Sequence, residues 1–133
     1  MKKKFFNLQF LGVLSLSLFS SISAFAGSLV IEVPDDPEPT KETIVYQCNT
    51  GNTETKKERV EATYYNAGEI ALVDLKWNGK RIIASNVIAA SGAKYVGAQY
   101  IWWTQKDEAT FYDLINDPKE EMPLNCVEEK GTE

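Results

Sequence analysis

Ser91-Gly92 and, further along, Trp103-Thr104-Gln105-Lys106 are the stretches whose side chains could do something specific to another molecule. A serine hydroxyl both donates and accepts hydrogen bonds, and a Ser-Gly pair is a turn signal that holds it at a bend. The string "SGAKYVGAQYIWWTQKDEA", Ser91 to Ala109, joins that bend to a dense run of aromatics and then to a second polar turn presenting Thr104, Gln105 and Lys106. What this set can do is limited by what surrounds it. The chain has no histidine, which removes Ser-His and Cys-His nucleophilic sets and most zinc sites. Nineteen acids supply many carboxylates, but nothing marks a pair as buried or poised, and no glycine-rich phosphate loop occurs. No metal or other cofactor is implied. The residues point to binding rather than catalysis, with an enzyme as the disfavoured third reading.

Composition sets the context. Met1-Lys2-Lys3-Lys4 is a positive start, Phe5 to Phe25 is almost wholly apolar or serine, and Ala24-Phe25-Ala26 is a small-x-small cleavage pattern. Residues 1–26 therefore read as a secretory signal peptide cut before Gly27, the competing reading being an uncleaved membrane anchor. No cysteine precedes Cys48, so no lipid anchor is expected, and the protein is expected to be soluble in a bacterial periplasm. Cleavage would leave 107 residues and, by removing three lysines and no acid, take the formal net charge from −5 to −8. That describes one small domain with a modest core. The acidic surface argues against nucleic acid or anionic lipid and allows a basic partner, whose encounter it would speed. In an oxidising compartment Cys48 and Cys126, near the two ends of the mature chain, read as one disulfide rather than two free thiols.

The elements that must position the two turns are strands. Residues 27–42 contain Pro34, Pro37 and Pro39 among acids and read as an extended, solvated arm ahead of a domain over 43–133. "TIVYQC" places Ile44, Tyr46 and Cys48 on one face, "RVEATYYN" alternates Val60, Ala62 and Tyr64, and "IALVDLKW" alternates Ala71, Val73, Leu75 and Trp77. Asn78-Gly79 specifies a type I′ hairpin. "YVGAQYIWWT" reads as one strand, with Tyr95, Ile101 and Trp103 on one face and Val96, Tyr100 and Trp102 on the other. If the first face fills the interior, Tyr100 and Trp102 lie at or near the surface as interface anchors. The competing reading is that these aromatics simply pack the core. Short strands with turns every 8–12 residues mean a sandwich or barrel, and a disulfide between terminal strands favours an all-β antiparallel barrel.

The residues also carry a resemblance. "YQCNTG" at Tyr46 to Gly51, "SGAKY", "WTQKDEATFY" and "LNC" at Leu124 to Cys126 together resemble the MliC/PliC family of bacterial inhibitors of C-type lysozyme. The resemblance implies a barrel of about eight strands closed by one disulfide. It also implies two loops that enter the lysozyme's substrate cleft. Ser91, beside Gly92 and supported or flanked by Tyr95, would reach the paired catalytic carboxylates a retaining glycosidase requires. Occupancy alone would block them. In the second loop the family pattern has a lysine and a glycine where this chain has Gln105 and Lys106. A neutral hydrogen bond contributes about 0.5–1.5 kcal/mol against roughly 1.5–3 for a charged one, so a tenfold difference in affinity follows. From a different class, the alternative is a non-catalytic binding barrel whose target has been redirected to another muramidase, a cell-wall fragment or an envelope protein. Oligomeric state cannot be read from the sequence.

Overall fold

The computed structural model describes residues 26–35, 38–49 and 56–131. The signal-peptide reading of residues 1–26 therefore falls almost wholly outside the described residues. Two compact units divide the chain, Met1–Val30 and Ile31–Glu133. Of the first, residues 26–30 are described, without regular secondary structure.

The second unit is an eight-stranded antiparallel barrel: β1 (Thr40–Asn49), β2 (Lys57–Ala67), β3 (Ile70–Trp77), β4 (Lys80–Val87), β5 (Ala93–Gly97), β6 (Tyr100–Gln105), β7 (Glu108–Asp113) and β8 (Leu124–Glu128). Each strand pairs with its neighbours in sequence and β8 closes on β1. β1 starts at Thr40, so the last residues of the acidic arm are drawn into the sheet opposite Tyr64, Tyr65 and Asn66. The closing register sets Cys48 opposite Cys126, and the two form the disulfide.

Alternation works as expected through the first half. Tyr46, Cys48, Val60, Ala62, Val73 and Leu75 are buried inside the barrel. Asn78 and Gly79 both take positive φ, 48° and 70°, the conformation a type I′ turn demands. The second half departs from the expectation at one point. "YVGAQYIWWT" is two strands, not one, because Ala98-Gln99 forms a two-residue turn with Ala98 at φ 48°. That turn pairs Gly97 with Tyr100 and Tyr95 with Trp102, and directly paired residues point to the same face. Tyr95, Tyr100 and Trp102 thus all point inward, with 6%, 6% and 0% of their surface exposed. The reading of Tyr100 and Trp102 as surface anchors is overturned. Ile101 and Trp103 take the outer face instead, Ile101 lying in register between Val96 and Tyr112.

Large rings need polar partners when buried, and the interior supplies them. The Trp102 indole N–H donates to the Tyr64 hydroxyl at 2.9 Å, and the Tyr64 and Tyr46 hydroxyls lie 3.0 Å apart. Tyr46 and Trp102 meet edge to face, and Phe111 contacts Trp77, Tyr100 and Trp102. Among the described residues no buried side-chain polar atom lacks a partner. Burial, reinforced by the hydrogen bond its hydroxyl shares with Tyr46, pushes the Tyr64 phenol far above the ordinary tyrosine value of 10.0. A group whose pKa is raised by folding contributes stability that is complete below its unfolded pKa and declines as pH rises through it. Tyr64→Phe, which leaves the indole N–H without its acceptor, should therefore cost about 1–3 kcal/mol at neutral pH. Urea unfolding checks this, and the decline in stability above pH about 10 should be shallower in the variant than in the parent.

Candidate functional site

Strand direction decides which loops meet. In an up-and-down barrel alternate connections emerge at opposite ends, so the β2–β3 turn, the loop between β4 and β5, the β6–β7 turn and the end of β8 share one end. The β4–β5 loop, residues 88–92, contains Ser91 and Gly92, and the β6–β7 turn contains Lys106 and Asp107. Both candidate loops therefore stand at the same pole. Ser91, Gly92, Gln105 and Lys106 are exposed there, while Thr104 is half-buried.

They also touch. Gln105 Nε2 donates to Ser91 Oγ at 3.1 Å, and the Trp103 indole N–H donates to the Ser91 carbonyl at 2.9 Å. Thr104 Oγ1 donates to the Ala93 carbonyl at 3.3 Å, continuing the β5–β6 pairing of Ala93 with Thr104 up to the rim. Gly92 adopts φ 65°, and a Cβ built on it would stand 2.1 Å from the Thr104 carbonyl oxygen. Only glycine lets the first loop lie this close against the second. The Lys94 ammonium sits 4.9 Å from the centre of the Trp103 ring, on the outer face. Adjacent tryptophans thus do separate jobs, Trp102 in the core and Trp103 as the strut under Ser91.

Turning to the other predicted site residues, Tyr95 is inside the barrel, its ring 5.7 Å from that of Tyr64. Burial raises its phenol pKa above the ordinary value, so it remains neutral. Tyr100 lies away from the rim, next to the β5–β6 turn at the other end, stacked on Phe111. It is not part of the constellation. Trp103 is the member that sequence reasoning assigned to the core face. Its signal would have been the Ala98-Gln99 turn, which reverses the parity of everything after it. Lys106 occupies the first turn position with φ 54°. Among the described residues, no group of three or more His, Cys, Asp or Glu side chains is arranged to hold a metal ion.

Two substitutions test this local construction. Gly92→Ala should destabilise by more than about 2 kcal/mol, because the methyl group meets backbone and the φ is unfavourable for alanine. Lys106→Gly should leave stability unchanged or raise it by up to about 1 kcal/mol, since the left-handed conformation costs a side-chain-bearing residue roughly 1–2 kcal/mol and glycine's greater unfolded entropy offsets part of that. Thermal melts of both variants read the two signs.

The chain was also compared with known proteins. The family described as "Membrane-bound lysozyme-inhibitor of c-type lysozyme" matches residues 46–120, more than half of the chain. A membrane-bound lysozyme inhibitor of C-type lysozyme from Pseudomonas aeruginosa is 38% identical over 84 residues, 62% of this chain and 61% of the relative. One of the same description from Cupriavidus necator is 32% identical over 77 residues, 58% of this chain and 57% of the relative. The chain thus spans about three fifths of the length of the curated relatives it matches. The crystal structure of Pseudomonas aeruginosa MliC in complex with hen egg white lysozyme superimposes with a TM-score of 0.61 at 30% identity, covering 79% of this chain and 99% of that one. With the barrel, the Cys48–Cys126 disulfide and the profile match in agreement, this chain belongs to the MliC family of membrane-bound lysozyme inhibitors of C-type lysozyme.

Proposed function

We propose that this protein is a stoichiometric inhibitor of C-type lysozyme that acts in the periplasm after cleavage before Gly27. Its Ser91 loop and its β6–β7 turn enter the enzyme's substrate cleft as one plug. Ser91, Gly92, Thr104, Gln105 and Lys106 form the contact surface, and Tyr95 supports it from inside. The observation that carries this reading is the Ser91–Gln105 contact at an exposed pole, which joins the two loops at one end of the barrel. The relative whose structure this chain resembles was crystallised in complex with hen egg white lysozyme, which supports the choice of target.

The physical requirement is modest. A retaining glycosidase needs one ionised and one protonated carboxyl flanking the scissile bond. A hydroxyl held among them, with the surrounding rim excluding substrate, stops turnover without any covalent step. The protein needs no catalytic residue of its own, in keeping with a chain that has no histidine. The acidic balance of the chain favours approach to a basic enzyme, an attraction that salt weakens.

Residues 27–133, purified oxidised, should inhibit bacterial cell lysis by hen egg white lysozyme at a one-to-one ratio, and should be captured by C-type but not by G-type or I-type lysozyme. Ser91→Ala should weaken inhibition by about tenfold or more, the loss of a hydrogen bond to a charged group, while leaving the thermal midpoint within about 1 °C. Equal capture by all three lysozyme types would favour a redirected binding barrel. Unfolding of Ser91→Ala would make Ser91 structural.

A further inference from the structure

The Ser91–Gln105 hydrogen bond fixes more than the spacing of two loops. We propose that Gln105 is a positioning residue that sets the polarity of the Ser91 hydroxyl, so that the rim presents a neutral, outward-directed hydrogen-bond donor matched to an ionised carboxylate. This role rests on the inhibitor reading above and names the chemistry its tip is built to meet.

The polarity follows from the atoms involved. An amide nitrogen has hydrogens to give and no lone pair to offer, so at 3.1 Å from Gln105 Nε2 the Ser91 oxygen is the acceptor. A hydroxyl has a single hydrogen, and with the amide donating to its oxygen that hydrogen remains to be given elsewhere. The nearby Ser91 carbonyl receives the Trp103 indole N–H at 2.9 Å and takes no hydrogen bond from its own side chain. Among the described residues no acceptor takes the Ser91 hydrogen, and the side chain is exposed. It therefore faces solvent or a partner.

Three features keep this arrangement from relaxing. Gly92 is packed against the Thr104 carbonyl and the Gln105 Cγ, leaving the first loop no room to turn inward. Trp103 holds the Ser91 backbone from the adjacent strand and is itself covered by Lys94. Thr104 ties its own strand to Ala93. Donation by the amide to Ser91 also polarises the hydroxyl, making it a better donor in turn. The sequence amide to hydroxyl to carboxylate runs in one direction, and it ends best on an anion. A protonated carboxyl, with a hydrogen of its own to place, suits it less. An uncharged donor also makes this one hydrogen bond weakly dependent on salt, unlike the long-range attraction that precedes it.

The test is a double-mutant cycle read as affinity for hen egg white lysozyme, with Ser91→Ala, Gln105→Met and the pair together. Methionine keeps the length of glutamine and removes its donors. Gln105→Met alone should weaken binding by about five- to tenfold, and by less than about twofold when Ser91 is already alanine, because Gln105 acts through Ser91. The thermal midpoint should stay put in all three. Independently of any lysozyme, the Gln105 side-chain amide should give an NMR signal with slowed solvent exchange that Ser91→Ala abolishes. Equal losses from Gln105→Met in both backgrounds would overturn the role, since Gln105 would then act on the target independently of Ser91. So would no loss in either, or an amide signal indifferent to Ser91. Failure of the unsubstituted protein to bind any C-type lysozyme would overturn the inhibitor reading and this role with it. A surviving Ser91-dependent amide signal would then place the fault in the choice of target and not in the geometry of the rim.

Discussion

Closure of β8 on β1 is the constraint on which the rest of the molecule depends. The seam is short, running over Tyr46–Asn49 and Asn125–Glu128, against ten register pairs between β1 and β2. The seam between β4 and β5 is shorter still, with three pairs, yet it carries no covalent bond. Chain entropy explains the difference. β4 and β5 are joined by residues 88–92, so bringing them together costs little, whereas β1 and β8 are joined only through the whole barrel. The Cys48–Cys126 bond spans 78 residues, and a loop of that length corresponds to about 4–5 kcal/mol of denatured-state entropy removed. The staple sits where the polypeptide itself cannot supply the proximity. Among the described residues the closed sheet leaves no edge strand for another chain to extend.

The interior then fixes how those ends are presented. Tyr46, Tyr64 and Trp102 come from three strands and are joined by hydrogen bonds across the barrel, so rotation of any one ring would strand a polar atom in an apolar setting. Trp102 is wholly buried, and its neighbour Trp103 must by alternation point outward from the same rigid strand. The position of Ser91 is in this sense inherited from the core: the ring that packs the barrel locates the ring that holds the loop. The loops at this end are short, and their backbones are braced by the turn tied to β8, where Glu128 N–H donates to the Asp107 carbonyl.

Much of this was legible in the sequence, and the part that was not failed for identifiable reasons. Alternation of Ile44, Tyr46 and Cys48, of Val60 and Ala62, and of Val73 and Leu75 placed the first three strands correctly, because one face is buried and the period is strict. Asn78-Gly79 named its own turn. Ala98-Gln99 did not, since alanine at positive φ is not a turn signal, and the missed reversal flipped the assignment of Tyr100, Trp102 and Trp103. Asp74 is a second case. It falls on the outer face by alternation and should be solvated, but Arg81, two-thirds exposed itself, covers it through a fork of hydrogen bonds, at 2.9 and 3.1 Å from Nε, and seals it to 3% exposure. No pattern along the chain announces a contact between side chains on different strands. The same limit applied to the rim. Ser91 and Gln105 were each identifiable as polar loop residues, but their hydrogen bond is a property of barrel closure and strand direction.

On the proposed reading, that hydrogen bond bears on how a small acidic inhibitor would divide its work. Long-range charge raises the rate of encounter but is screened within about 10 Å at ordinary salt and carries little shape information. Short-range contacts decide how long the complex lasts. A flexible cationic side chain at the tip would pull strongly yet surrender rotamer freedom on binding, about 0.5–1.5 kcal/mol for a long side chain. Gln105 is already partnered with the Ser91 hydroxyl, and the Ser91 carbonyl with Trp103, so these two residues have given up that freedom during folding. The exchange of a charged donor for a prearranged neutral one therefore need not weaken the complex by the full difference between the two kinds of hydrogen bond. On the proposed reading, part of the strength lost in charge is returned as order, and the contact becomes more exacting about the direction and ionisation of the acceptor it would meet.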